Sequence, residues 1–182
     1  MRTTLYLIRH GATASNLARP YRLQGRQVDP PLDVIGVGQA EATRSALIEV
    51  SFAASYSSPL LRATQTARLI APALQPTRIE ALTECDVGRW EGLTWDEVRA
   101  REPEAYAKHM ADSGSFGYPG GESFAEVYAR ASDALSRVIR QHVGQTILVV
   151  SHHVVIRSYL TIQLGKPMSD ARKLSVEICA IS

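Results

Sequence analysis

Apolar residues follow two rhythms along this chain. Short runs rich in β-branched and aromatic residues, Thr3 to Ile8, Phe52 to Tyr56 and Thr146 to Val150, end at polar residues and read as buried parallel strands. Between them the spacing changes to that of a helix face: Val37, Ala40, Ala46, Leu47 and Val50 share one side of a helix over Val37 to Val50. A second helix is predicted over Leu60 to Leu74, with Pro59 in its first turn, Ser57 and Ser58 available as caps, and Pro72 or Pro76 as the stop. Further on, Arg78 to Leu82 reads as a short strand, and Thr94 to His109 and Ser123 to His142 as helices. Val154 to Leu164 reads as an apolar helix ended by Gly165 and Pro167, and the alternation in Leu174 to Ile181 as an edge or closing strand. Strands alternating with helices imply an α/β fold: a single-domain three-layer α/β/α sandwich with a mostly parallel central sheet and helices on both faces.

Neither a repeat nor a linker divides the chain, so residues 1–182 are expected to form one domain, large enough to bury about 70 % of the surface its unfolded form would expose. The Gly/Pro/Ser-rich stretch Asp112 to Gly121 marks a lid-like excursion spanning about 95–124. A formal charge of +2 is too small to indicate a nucleic-acid partner, so any useful positive potential must be local. The N-terminus has neither the apolar length of a membrane span nor that of a secretory leader. Cys85 and Cys179 lack metal-ligand spacing, and two cysteines could form only one disulfide. Together these features point to a cytoplasmic protein with no membrane association.

Two histidines follow apolar runs directly, His10 after Leu5-Tyr6-Leu7-Ile8-Arg9 and His152 after Thr146-Ile147-Leu148-Val149-Val150-Ser151. Ligands of open α/β sheets collect beyond the carboxyl ends of the strands, so adjacent strands would bring both imidazoles into one crevice. With Arg9 and Arg62 beside them, the expected ligand is an anion, and phosphate fits best.

The same residues resemble the signature of the histidine phosphatase superfamily, which includes the phosphoglycerate mutases. The resemblance begins with Leu7-Ile8-Arg9-His10-Gly11-Ala12-Thr13-Ala14-Ser15-Asn16 and continues through Gly25, Asp29, Pro31-Leu32, Gly36 and Gln39-Ala40. It resumes at Ser57-Ser58-Pro59-Leu60-Leu61-Arg62-Ala63-Thr64-Gln65-Thr66-Ala67, at Leu82-Thr83-Glu84-Cys85-Asp86-Val87-Gly88-Arg89-Trp90-Glu91-Gly92, at Gly120-Gly121-Glu122-Ser123 and at Val150-Ser151-His152-His153-Val154-Val155-Ile156-Arg157. It spans nearly the whole chain.

Phosphoryl transfer without a metal needs a nucleophile that is unprotonated near neutral pH, and imidazole is one. His10 is the expected nucleophile: a backbone carbonyl accepting its Nδ1 proton would leave Nε2 free, and Gly11 would permit the tight turn that presents the ring. Arg9, Arg62, Asn16 and His152 would surround the phosphate, joined by the N-terminus of the helix after His152. The residues alone leave the acid role open among Glu84, Asp86 and Glu91; the resemblance carries it to Glu84, where burial would raise the pKa.

Gln24, Gly25 and the Gly120 to Ser123 segment resemble substrate-contacting loops of the family, although helix capping by Ser123 explains the latter equally well. His153 replaces a residue that is small in many relatives, and its ring would either contact the leaving group or face the core. Cofactor-dependent mutases carry paired arginines in a longer insertion, and no adjacent Arg-Arg occurs between Trp95 and Phe124. The resemblance therefore implies a metal-independent phosphatase that uses no cofactor, acts on a small phosphorylated metabolite and works through a phosphohistidine. A phosphoglycerate mutase and a non-catalytic phosphate-binding module are the competing readings. The leaving group would be read by loops around Arg19 to Gln27 and Trp90 to Phe124, where Tyr21, Tyr106, Phe116 and Tyr118 offer rings. A free edge on Leu174 to Ile181 would allow a homodimer.

Overall fold

A computed structural model describes residues 1–182. Four strands, β1 (Thr4–Arg9), β2 (Ala54–Ser57), β3 (Thr77–Arg78) and β4 (Thr146–Ser151), form one sheet in the order β1-β4-β2-β3. Every pairing is parallel. Because side chains alternate across a strand, β1 and β4 feed two cores. Leu7, Ile147 and Val149 join the larger core with Val127, Leu135 and Val155 from α6 (Phe124–Gln141) and α7 (His153–Gln163). Ile8, Leu148 and Val150 face the other way, onto Ala63, Ala67 and Ile70 of α3 (Leu61–Ile70), which packs beside α2 (Val34–Ala46). Helices thus cover both faces, as expected from the alternation of elements.

The register fixes the site. Leu7 lies opposite Val149 and Arg9 opposite Ser151, so β1 and β4 end level with one another and the next residues, His10 and His152, emerge side by side. A short helix, α1 (Ala14–Leu17), follows β1.

Several elements differ from the sequence reading. Asp33 caps α2 by accepting from the Ile35 N–H, so that helix starts earlier than Val37 and ends at Ala46. The second helix starts at Leu61, not at Pro59, and its cap is neither Ser57 nor Ser58: the Asp29 carboxylate, brought in from a distant loop, accepts the Leu61 N–H at 2.9 Å. The strand expected over Arg78 to Leu82 shrinks to β3 followed by a 3₁₀ turn over Glu80–Leu82. Thr94 to His109 is two helices, α4 (Trp95–Arg101) and α5 (Pro103–Ala111). Pro103 drives the residue before it out of the helical region, leaving Glu102 at φ −135° and ψ 63°.

The expected strand over Leu174 to Ile181 is absent. A 3₁₀ turn over Met168–Lys173 runs into a loop, and only Ile181 bridges antiparallel to Ile8. With no strand there, the segment has no strand edge of its own of the kind that would have allowed a homodimer. The chain instead uses this loop as a wall of the site.

Candidate active site

Beyond the carboxyl ends of β1 and β4 opens a cavity of about 450 Å³, lined at its inner end by Arg9, His10, Asn16, Gln24, Glu84, His153 and Val154. The His10 and His152 rings lie 5.1 Å apart between centroids. The crevice inferred from two distant apolar runs therefore forms.

His10 is buried, and its Nδ1 lies 2.7 Å from the Gly11 carbonyl. Only a protonated Nδ1 can donate there, which fixes the tautomer and leaves the Nε2 lone pair open. Arg62 donates to this Nε2 from its Nε at 3.3 Å. Burial, then the charges of Arg62 and Arg9, hold His10 well below the ordinary imidazole pKa, so the ring is neutral at physiological pH. Gly11 serves a close approach, not a left-handed turn: its φ is ordinary, and a Cβ there would lie 2.4 Å from the Gly36 carbonyl oxygen of α2.

Arg62, second residue of α3, is completely buried. Its Nη2 donates to the Gly25 carbonyl at 2.8 Å, and its Nη1 donates to the Val28 carbonyl at 3.1 Å and meets Asp29 at 3.4 Å. Gly25, expected to contact substrate, does not line the cavity; it clamps Arg62 and donates its own N–H to Glu91. Arg9 is anchored by the Val176 carbonyl at 2.8 Å, while its buried Nε has no partner.

Thr13 orients two amides. Its N–H donates to Asn16 Oδ1 at 3.0 Å and its hydroxyl to Gln24 Oε1 at 3.1 Å, so both side chains keep their NH₂ groups for the cavity. Gln24 Nε2 is buried without a partner, and so are both ring nitrogens of His152. Such buried, unpaired polar atoms are costly unless a ligand meets them. His152 forms the N-cap of α7, and burial and nearby cations hold its ring neutral.

Glu84 is buried beside the first turn of α7. Its carboxylate accepts from the Cys85 N–H at 2.8 Å and the Val154 N–H at 3.4 Å, but burial outweighs both bonds and raises its pKa. Asp86 and Glu91, the rival acids, are occupied elsewhere: Asp86 pairs with Arg26 at 2.7 Å, and Glu91 accepts from the Gly25 N–H. Arg130 braces the Glu84 segment, donating to the carbonyls of Ala81, Thr83 and Glu84 while paired with Glu122 at 2.8 Å. The Gly120 to Ser123 segment is accordingly structural: Glu122 holds Arg130, and Ser123 caps α6.

His153 faces the cavity, not the core. Of the four rings expected near the leaving group, Tyr21 and Tyr118 line the cavity and Tyr106 and Phe116 do not. Sequence reasoning missed Arg157, Arg172, Ser175 and Glu177, which form the outer wall. Arg157 had a signal: it stands four residues after His153, on the same face of α7. Arg172 had none, since only the tertiary fold brings its loop to the cavity.

Residues 5–182 match the histidine phosphatase superfamily (branch 1). The chain belongs to that superfamily. It is 37 % identical to a metal-independent phosphoserine phosphatase of Arabidopsis thaliana over 97 % of this chain and 75 % of that protein. It is 35 % identical to a probable phosphoglycerate mutase GpmB of Yersinia pestis, over 98 % and 82 % of the two chains. Among solved structures, a mutant phosphoserine phosphatase from Entamoeba histolytica in complex with phosphoserine superposes with a TM-score of 0.86 at 31 % identity, covering 99 % of this chain and 89 % of that one. The expectation of a histidine phosphatase, drawn from the sequence blocks, is met. No helix is long and apolar enough to cross a membrane.

Proposed function

We propose that this enzyme hydrolyses a small phosphomonoester through a phosphohistidine at His10, with Glu84 as acid and then base. The observation that carries this is the His10 ring itself: Nδ1 is committed to a carbonyl, Nε2 is unprotonated with the Arg62 Nε as its hydrogen-bond partner, and the charge state is neutral. In the first step Nε2 bonds to phosphorus while the ester P–O bond breaks, and Glu84 gives its proton to the leaving oxygen. In the second, water attacks phosphorus, Glu84 takes the water proton, and the P–N bond breaks to release phosphate.

Arg9, Arg62 and His152 stabilise the equatorial oxygens, with Asn16 and Gln24 donating from their amides and His153 beside the ester oxygen. A phosphate dianion meeting His152 would raise its pKa from the depressed value and strengthen it as a donor. The residues of about 95–124 act as the lid over the leaving group. Buried, unpaired Cys85 and Cys179 support a reducing, cytoplasmic setting.

Phosphoserine, the substrate named for two of the relatives, heads the compounds to test. The GpmB likeness favours a mutase as second reading. Incubation with 3-phosphoglycerate and a bisphosphoglycerate primer separates the two, since a phosphatase releases inorganic phosphate and a mutase yields isomerised product. His10→Ala should abolish turnover of p-nitrophenyl phosphate while leaving the protein folded by circular dichroism. Retention of more than about 5 % of the activity would refute the nucleophile, because loss of a covalent nucleophile costs many orders of magnitude in rate. If the unaltered protein binds phosphate tightly but hydrolyses nothing, it is a binding module.

A further inference from the structure

The loop that grips Arg62 has no backbone scaffold of its own. On one side of it, the Leu23 N–H donates to the Leu93 carbonyl and the Leu23 carbonyl accepts from the Gly92 N–H, each at 2.8 Å; on the other, the Asp33 N–H donates to the Ala12 carbonyl at 2.9 Å. Between these anchors residues 24–31 make no backbone–backbone hydrogen bond. Side chains alone fix the path: Thr13 holds Gln24, Glu91 holds Gly25, Asp86 holds Arg26 and Gln27, and Asp29 is tied to the Leu61 N–H. Arg62 depends on that path. The Gly25 and Val28 carbonyls accept from its two Nη atoms and so orient the guanidinium that meets His10 through Nε.

The holding groups are not equivalent. The Arg26–Asp86 pair is half-exposed on its Arg26 side, and ion pairs at the surface contribute little. Glu91 differs. Its Oε1 accepts from the Gly25 N–H at 2.8 Å, while its Oε2 is buried without a hydrogen-bond partner. Burial raises its pKa, against the N–H groups of Gly25, Gln27 and Val28, which favour the charged form. A buried carboxylate satisfied on one oxygen is costly, and the substrate does not explain it, because Glu91 does not line the cavity. The contact is also close-packed: a Cβ on Gly25 would lie 2.6 Å from Glu91 Oε2 and 2.7 Å from the Cys85 carbonyl oxygen. The loop therefore rests on this carboxylate and on the residue next to Glu84.

We propose that Glu91 is a positioning residue: by holding Gly25 it sets the loop whose carbonyls aim Arg62 at the phosphoryl group, and it ties that cation to the segment bearing Glu84. Released from the Gly25 carbonyl, the guanidinium has Asp29, already 3.4 Å from Nη1, as its nearest carboxylate, and a turn towards it withdraws Nε from His10. The inference rests on the phosphatase reading above, in which Arg62 stabilises the phosphoryl oxygens.

The test is a double-mutant cycle on kcat/KM for p-nitrophenyl phosphate. Glu91→Ala should lower it about 10- to 100-fold, the range for a group displaced by roughly an ångström. In an Arg62→Ala background the same change should cost less than about threefold, because no guanidinium is left to aim. Losses that simply multiply would overturn the proposal. The inhibition constant of inorganic phosphate should rise at least about fivefold in Glu91→Ala, the worth of one hydrogen bond, whereas a smaller folded fraction leaves it untouched. An unchanged constant would count equally against the role. Glu91→Gln keeps an oxygen for the Gly25 N–H and should recover most of the activity; a Gln variant as poor as Ala would overturn the hold on the loop as the cause. Should Glu91→Ala not fold, Gly25→Ala, which forces the loop off the carboxylate, carries the same cycle. If turnover proves independent of His10, the catalytic reading fails; if it depends on His10 while the two losses multiply, only the role of Glu91 fails.

Discussion

The two ends of the cavity are built by different means. At the inner end the phosphate-facing groups sit on or directly after regular elements, Arg9 ending β1 and His10 following it, with Arg62 in the first turn of α3 and His152 at the cap of α7 buried behind the cavity lining; Glu84 and Gln24 come from loops. Strand register places Arg9, His10 and His152, and hydrogen bonds to backbone carbonyls hold His10, Arg9 and Arg62. At the outer end Trp95, Tyr118, Arg172 and Glu177 come from the excursion and from the C-terminal loop, packed through rings and side chains. In the proposed function, the sheet places the phosphate-facing groups and the loops read the leaving group. Sheet-borne groups should therefore affect every substrate alike, whereas loop-borne groups should affect substrates differently.

After His10→Ala, the largest effect should come from Arg62→Ala. Removing a fully buried donor to the transferring phosphoryl group is expected to cost about 2.7–4 kcal/mol in kcat, by analogy with loss of one oxyanion donor. Steady-state assays should show the same proportional loss for p-nitrophenyl phosphate and for alkyl phosphates. A loss confined to one substrate would erase the division between the two ends.

Arg130→Gln probes the inner end less directly, since Arg130 holds the carbonyls around Glu84 and touches no substrate. It is a positioning residue. A displaced acid matters most for a leaving group that needs a proton, so kcat should fall about tenfold or more for alkyl phosphates and far less for p-nitrophenyl phosphate, within the span of general acid catalysis. Uniform loss across both would assign Arg130 to structure alone.

The smallest catalytic effect belongs to His109→Gln, at the outer end, which should loosen Arg172 and raise KM while kcat changes little. A stability signature accompanies it. Burial lowers the His109 pKa to about 4, against roughly 6.5 for an unfolded histidine. The neutral ring contributes its full stability above pH ~6.5; as pH falls the unfolded chain takes up the proton first, and up to about 3 kcal/mol is lost by the time pH reaches the folded value. Thermal melts should therefore show a shallower decline between pH 7 and 4 in the variant. Parallel curves would mean that the imidazole titrates normally.

Much of the inner end was readable in the chain because its signals are local. Apolar runs ending at histidines specify strand, strand end and reactive group within a few residues, and parallel pairing then makes them neighbours. The outer end was hidden for physical reasons. The alternation holds from Leu174 to Ile178, with Val176 buried between exposed Ser175 and Glu177, and breaks at buried Cys179, while the Val176 carbonyl accepts from Arg9 instead of a ladder partner. Alternating burial alone cannot tell a strand from a loop pressed against a core. Pro103 was visible as a breaker, and periodicity on either side masked it. The Asp29 cap of α3 and the His109 contact to Arg172 join residues far apart in sequence, and no local pattern encodes them.

At the centre of the proposed mechanism stands a neutral His10 whose Nε2 would accept the phosphoryl group. Mixing enzyme with a ³²P-labelled phosphomonoester, quenching in alkali within milliseconds and mapping the label by mass spectrometry tests this directly. The account predicts an alkali-stable, acid-labile phosphoryl group on His10 that vanishes as inorganic phosphate appears. Label on any other residue, or turnover with no labelled enzyme at any time in the first cycle, would contradict it.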